Sequence, residues 1–367
     1  MSKKKNKEYV AVGGQALMEG IMMKGPKGTA MSLRLPDGTI ETQMKDFVSV
    51  RKKIKILNVP FIRGIVSFVE SMLFGYKLLM ESAEKTSLDT ESEENESKLD
   101  KWISDHFGPK MMAVIGGISA VLGVVLAFGL FMLLPSLIFD LINGEFALEL
   151  FNRSFFEPVK LPWYSYFESG FLIPWSALIE GVIRVIIFVI YMYAVSKMKE
   201  IHRVYMYHGA EHKTIFAFEH GKELTVENIR NEKRCHPRCG TSFIFVTILL
   251  SILISSIVVV IFPEIREETV IWTVAKVLMM PLIMGIGFEF IQLAGKYPNK
   301  FTRLLSAPGL LMQRITTAEP TDDIIEVAIE AMNAALTGEV AKKTEEINEE
   351  VSEETAEEVT EEAESKE

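Results

Sequence analysis

The sequence predicts a mainly helical, polytopic membrane protein with four transmembrane helices, one interfacial amphipathic helix and a small N-terminal β unit. Three observations predict it. The chain of 367 residues is 49% hydrophobic, and its mean hydropathy is +0.21 although it is rich in glutamate. Four apolar segments are each long enough to cross about 30 Å of hydrocarbon, which takes roughly 20 helical residues. Lys and Arg alternate in density along the chain as four crossings require.

The elements follow in order. Residues 1–53 read as a cytoplasmic β unit. Tyr9 to Val12 is a short β-rich run, and Ser32 to Gln43 reads as a hairpin turning at Pro36-Asp37-Gly38. The basic start, Met1 to Lys7, leads into polar, Gly-rich sequence, so no signal peptide is expected. Residues 54–80 read as an amphipathic helix associated with the membrane. Arg63, Glu70 and Lys77 recur there every seven residues and share one helix face. That charged stripe favours lying at the interface or packing on the bundle over spanning. Residues 81–110 form an acidic linker.

Residues 111–295 form the membrane domain. Its spans are Met111 to Leu134 (free of charge), Trp175 to Val195, Phe243 to Phe262, and Val270 to Leu293. The last is expected to be broken at Pro281, Gly285 and Gly287. Backbone groups in lipid must be satisfied internally, which makes all four helices. Residues 1–60 hold twelve Lys and Arg, the segment 135–174 only Arg153 and Lys160, and the loop 196–242 nine. The link near Glu264 has Arg266 alone, and basic residues return after the fourth span. This pattern puts both termini in the cytoplasm of a cell with an inner membrane. Trp163, Tyr164, Tyr166, Phe167 and Trp175 in the low-charge loop suit an aromatic belt at the outer interface.

Residues 296–338 read as a cytoplasmic helical region, with Ile324, Ile325, Ala328, Ile329 and Met332 at helical spacing. Residues 339–367 hold thirteen Glu and three Lys, which is the whole net charge of −10. An acidic block without aromatics stays solvated and disordered.

Chemistry concentrates in the second basic loop. Five of the six histidines and both cysteines, Cys235 and Cys239, lie between His202 and Cys239. Two cysteines exclude a disulfide framework and leave metal binding or a lone redox pair. In His208-Gly-Ala-Glu211-His212 a helix sets both imidazoles on one face, able to share a metal. Glu211 beside them suits a general base, in the spacing of the inverted zincins. The bland alternative is a basic helical turn facing headgroups. Glu219 and the Cys235-His236-Pro-Arg-Cys239 segment supply further ligands. Imidazole and thiolate together favour zinc among divalent metals. His208 and His212 with Cys239 or His236 form the natural set. Three protein ligands plus water make a catalytic site and four a structural one; both stay open.

Elsewhere, Glu19 follows paired glycines in Gly13 to Gly20 and is a candidate for the metal site or a partner. The plain reading is a Gly-rich turn. No Lys-Ser/Thr follows, so this is no phosphate loop. Glu289, near the cytoplasmic end of the fourth span, is a functional candidate or an ion pair at a helix end. Lys276 is expected to snorkel to the outer interface. Glu180 and Arg184, four apart, are expected to form a structural intramembrane pair rather than a transport path. Few polar residues line the spans, which weighs against a transporter.

Four separated stretches carry a resemblance. Gly13-Gly-Gln-Ala-Leu-Met-Glu-Gly-Ile-Met-Met-Lys-Gly25, Tyr207-His-Gly-Ala-Glu-His-Lys-Thr214, His236-Pro-Arg-Cys-Gly-Thr-Ser-Phe243 and Ala307-Pro-Gly-Leu-Leu-Met-Gln-Arg-Ile-Thr-Thr317 resemble the motifs of the DUF1385 family of YqhQ-like bacterial membrane proteins. The resemblance covers about residues 8–335. It implies membrane location and a metal-dependent enzyme with its site at His208, Glu211, His212, His236 and Cys239, but no reaction. Cys235 precedes the shared motif, which favours Cys239 or His236.

The resulting expectation is a zinc-dependent hydrolase at the cytoplasmic membrane surface, with Glu211 as base. Membrane lipids surround it, and its substrate is a peptide segment of a membrane protein or a lipid headgroup. The alternative is an assembly or quality-control factor with a structural zinc. No nucleic-acid signature is present.

Overall fold

The computed structural model describes residues 12–87, 109–142, 145–146, 159–160, 175–237, 239–266, 269–296 and 300–340. Residues Tyr9 to Ala11, the linker beyond residue 87, the aromatics Trp163, Tyr164, Tyr166 and Phe167, and the acidic tail from residue 341 lie outside the described residues.

The expected N-terminal β unit is a four-stranded antiparallel meander: β1 (Gly13–Leu17), β2 (Gly20–Lys24), β3 (Thr29–Arg34) and β4 (Ile40–Lys45). The β3–β4 hairpin turns where the sequence placed it. Gly38 takes a left-handed φ of 87°, and the Asp37 carboxylate accepts the Thr39 N–H at 2.9 Å. Across it Ser32 faces Thr42, their hydroxyls 2.8 Å apart. Side chains alternate between two faces, as a strand requires. Ile21, Met23 and Ala30 point to one core, and Leu17, Met31 and Leu33 to another.

Each face has its own helix. Helix α1 (Ile62–Ser87) covers the second face with Leu78. It is not among the helices long and apolar enough to cross a membrane. Its first turns pack on the membrane helices, with Gly64 under Phe288 and the Phe68 ring 5.4 Å from Phe243. Val69, Met72, Leu73 and Tyr76 on its outer side stay exposed.

The chain continues through α2 (Pro109–Phe128), a π-helical turn at Gly129–Leu133, α3 (Leu134–Ile142) and the two-residue strands β5 (Glu145–Phe146) and β6 (Val159–Lys160). Then follow α4 (Ser176–Val195), α5 (Lys199–Glu219), the short α6 (Val226–Arg230), α7 (Gly240–Ile261), α8 (Thr269–Lys296), α9 (Lys300–Thr316) and α10 (Asp322–Thr337). Among the described residues four stretches are long and apolar enough to span a bilayer: Val121–Phe139, Ser176–Val195, Phe243–Ile261 and Ile271–Phe290. This is a membrane protein with a polar body built beside its bundle.

Three expectations within the bundle need correction. The first span runs past Leu134, through Pro135 to Phe139, and its helix continues to Ile142. Pro135 has no N–H to give the Phe131 carbonyl one turn back. Arg184 Nε of α4 donates to that carbonyl at 2.8 Å instead, so the backbone stays satisfied in an apolar setting. The fourth span is not broken. Helix α8 continues through Pro281, and Gly285 and Gly287 are points of close approach, where a Cβ would lie 3.0 Å from the Phe61 carbonyl and 2.8 Å from Thr247. Lys276 does not snorkel. It is buried, 2.8 Å from Glu180 and 5.0 Å above the Trp272 ring. Glu180 makes its salt bridge across helices to Lys276, and Arg184, which caps a carbonyl, stays within Coulombic range of Glu180.

The polar body gathers distant parts of the chain. Helix α10 begins with Asp322 and Asp323 at its positive end and stops at Gly338, whose φ is 80°. Its fully buried Ile324, Ile325 and Met332 share one core with Ile21 and Met23 of the sheet and with Tyr207 and Ala210 of α5. Each such apolar side chain contributes roughly 1.5–3 kcal/mol when withdrawn from water.

Candidate metal centre

Helix α5 continues the chain three residues beyond the apolar α4. Its central turn is pinned by the segment after α9. The Ala318 N–H donates to the Tyr205 carbonyl at 2.8 Å. Only glycine fits at residue 209, because a Cβ there would lie 2.1 Å from the Ala318 carbonyl oxygen. This close approach explains the glycine between the two histidines.

The i, i+4 spacing brings the His208 and His212 rings to 4.4 Å between centroids. Each ring is held by its Nδ1. His208 Nδ1 lies 2.8 Å from the Thr316 carbonyl, and His212 Nδ1 lies 2.5 Å from the Arg234 carbonyl. A carbonyl only accepts, so each Nδ1 carries the proton and each Nε2 presents its lone pair. Metal-ligating histidines are oriented in this way. Cys239 Sγ lies 3.3 Å from His208 Nε2. The ligand atoms of His208, His212 and Cys239 all fall within 4.8 Å of one another. His212 Nε2 is buried without a hydrogen-bond partner among the described residues. A tetrahedral zinc keeps its ligand atoms about 3.5 Å apart, so side-chain shifts on the order of 1 Å bring all three onto one ion. Two imidazoles and a thiol are a donor set that fits zinc.

His236 lies beside this group but is engaged elsewhere. Its Nε2 is 3.4 Å from a Glu219 carboxylate oxygen, and its ring is 5.8 Å from that of His212. Its backbone is clamped by Gln313, which accepts the His236 N–H at 2.7 Å and donates to its carbonyl at 2.9 Å. Burial first, and the nearby His212 second, push the His236 pKa down to about 4. Burial also raises the Glu219 carboxyl, against the opposing pull of His220. Of the two third ligands left open by the sequence, the structure brings Cys239 to the paired histidines.

Glu211 is not in the three-ligand group. It is buried against β1, where the Gly14 N–H bonds to it. A Cβ on Gly14 would sit 2.9 Å from the Glu211 side chain, so this glycine too marks a close approach. Burial raises the Glu211 pKa to about 7, with the neighbouring His208 and the Gly14 bond pulling the other way. Glu19 also stays outside. It adopts a left-handed φ of 48° in the β1–β2 turn, which is uncommon for a non-glycine residue. Its carboxylate is taken by Arg203 and by the Tyr207 hydroxyl at 3.2 Å.

Cys235 is a free, half-buried thiol outside the ligand group. Glu289 forms a two-pronged pair with Arg63 of α1, with Nε at 2.7 Å, and accepts the Phe61 N–H at 3.3 Å. The plain reading of that residue, an ion pair at a helix end, is the one the structure shows. Sequence reasoning missed the Thr316 and Arg234 carbonyls, the Gln313 clamp, and the buried Lys213, which pairs with Glu319. The Ala307–Thr317 motif was visible without a role. Backbone carbonyls leave no mark on residue identity.

A family model described as a protein of unknown function, DUF1385, matches residues 59–338. The chain is also 32% identical over 340 residues to the uncharacterized protein YqhQ of Bacillus subtilis (strain 168), covering 90% of this chain and 94% of that one. No solved structure matches.

Proposed function

The chain belongs to the DUF1385 family, and from that premise we propose that it is a zinc-dependent hydrolase acting at the cytoplasmic surface of the membrane. One observation carries the reading. Two imidazoles, each tied at Nδ1, direct Nε2 toward a common point near Cys239, and His212 Nε2 has no other partner among the described residues. Such a divalent ion supplies Lewis acidity and lowers the pKa of a neighbouring water to about 7.

The chain's own groups have distinct parts. Thr316 and Arg234 orient the imidazoles through their carbonyls. Three protein ligands would leave a fourth position open to water, as in catalytic sites. Glu211, raised to about 7 next to His208, has the proton affinity suited to a base at neutral pH. The distribution of Lys and Arg supports the cytoplasmic side.

A second reading is a structural zinc in an assembly or quality-control factor. The observation favouring it is that the ligands and their carbonyl holders come from three segments, α5, residues 234–239 and the end of α9. An ion there would clasp all three.

Elemental analysis with X-ray absorption tests the proposal. Wild-type protein should carry about one zinc per chain, and His208→Ala with His212→Ala should lose it. Equal metal content in both removes the proposal. Three protein ligands plus a light scatterer support the enzyme, and four protein ligands support the structural role. Glu211→Gln that keeps zinc yet fails to complement a deletion strain supports catalysis, whereas full complementation supports the scaffold.

A further inference from the structure

Behind the histidine cluster lies a second feature that the metal site does not use. A cavity of about 580 Å³ opens between the end of α4, the start of α5 and the end of α9. Its wall carries Lys197, Lys199, Arg234 and Arg314, together with His202. Among the described residues the one carboxylate on the wall is Glu319, and that is already paired with Lys213. Among the described residues none of the four cations forms an ion pair, and Lys197 rests 4.7 Å above the Tyr193 ring. Elsewhere in the polar body Arg34, Arg203, Lys213 and Arg230 are all matched by carboxylates. Four unmatched cations on one concave wall focus positive potential into it. Arg and Lys together hold phosphate oxygens by charge-assisted hydrogen bonds.

The position of the cavity says what kind of phosphate. It begins at the very end of α4, one of the four helices long and apolar enough to span a bilayer. Basic residues at the end of a span sit at headgroup depth. The flank of α4 leading there exposes Ile186 and Ile190, which suits acyl chains.

We infer that this pocket binds the phosphate of an anionic phospholipid headgroup. The same segments serve both places. Arg234 lines the pocket and holds His212 with its carbonyl, and Thr317 on the pocket wall follows Thr316, which holds His208. A headgroup docked here lies against the segments that hold His208 and His212. In that respect the inference rests on the proposed hydrolase and names its substrate class; the binding itself does not depend on the metal.

The test titrates full-length protein in neutral detergent with short-chain phosphatidylglycerol, with the matching diacylglycerol, and with inorganic phosphate. A chelator is present throughout, so failure of the metal site leaves the result untouched. Wild-type protein should prefer phosphatidylglycerol to diacylglycerol. Lys199→Gln with Arg314→Gln should weaken phosphatidylglycerol binding about tenfold or more. The same charge loss at Lys27→Gln with Lys222→Gln should change it less than about twofold. Lys199→Arg with Arg314→Lys should retain binding, which separates lost charge from a lost fold. Equal weakening by the pocket and control pairs, or none by the pocket pair, overturns the site. Binding of inorganic phosphate without phosphatidylglycerol overturns the lipid assignment in favour of a free anion.

Discussion

Two buried groups beside the ligand cluster titrate in opposite senses, and one substitution separates them. Burial raises Glu211 from its ordinary 4.5 to about 7. Between those values the folded chain keeps a proton that the unfolded chain releases. Its contribution to stability is therefore full on the acid side and lost as pH rises through about 7. His236, lowered from 6.5 to about 4, does the reverse, and its contribution is lost as pH falls through that window. Each shift is worth roughly 3 kcal/mol at about 1.4 kcal/mol per pH unit. In chelated protein Glu211→Gln keeps an acceptor for Gly14 and removes the cost of the buried charge. Its thermal midpoint relative to wild type should rise between pH 5 and pH 8, by several degrees. A difference independent of pH would show that Glu211 is not held with a raised pKa.

At the scale of elements, glycines decide how closely α5 and α8 approach their neighbours. A helical Gly→Ala change usually stabilises by up to about 1 kcal/mol. Gly209→Ala should do the opposite, because its Cβ would meet the Ala318 carbonyl at 2.1 Å. Backbone cannot swing aside as a side chain can, so a loss of about 2 kcal/mol or more is expected. The displaced segment carries Thr316, so zinc affinity should fall with the thermal midpoint. Gly123→Ala, with nothing within 4 Å of its Cβ, is the matched control and should be neutral or mildly stabilising. Thermal unfolding and zinc titration of the two variants check this, and equal behaviour would refute the close-approach account. The Pro135–Arg184 arrangement belongs to the same scale: a helix that loses one donor recovers it from a neighbour.

On the scale of the whole molecule, the polar body is one core assembled from the sheet, α5, α6 and α10. Ending the chain after Thr317 removes Ile324, Ile325, Val327, Ala328 and Met332, all fully buried. That truncation should therefore open the N-terminal sheet as well. Limited proteolysis should cut within residues 13–45 of the truncated chain and spare them in the full-length one. Protection of that segment in both chains would mean the sheet stands alone.

The sequence by itself determined the elements. A span declares itself through a continuous apolar run, a hairpin through Pro-Asp-Gly between alternating strands, and a shared imidazole face through His at i and i+4. These are local rules, each readable within one window of the chain. What lay further apart was legible only in part. Tertiary structure alone decided that the Cys239 thiol lies nearest the paired His208 and His212 ligand atoms, that Glu180 meets Lys276 across two helices, that Pro281 leaves α8 unbroken, and that Glu211 turns to Gly14. Each depends on groups separated by a few dozen to two hundred residues, or on backbone carbonyls common to every residue. Such contacts are fixed by packing, which no single stretch of sequence encodes.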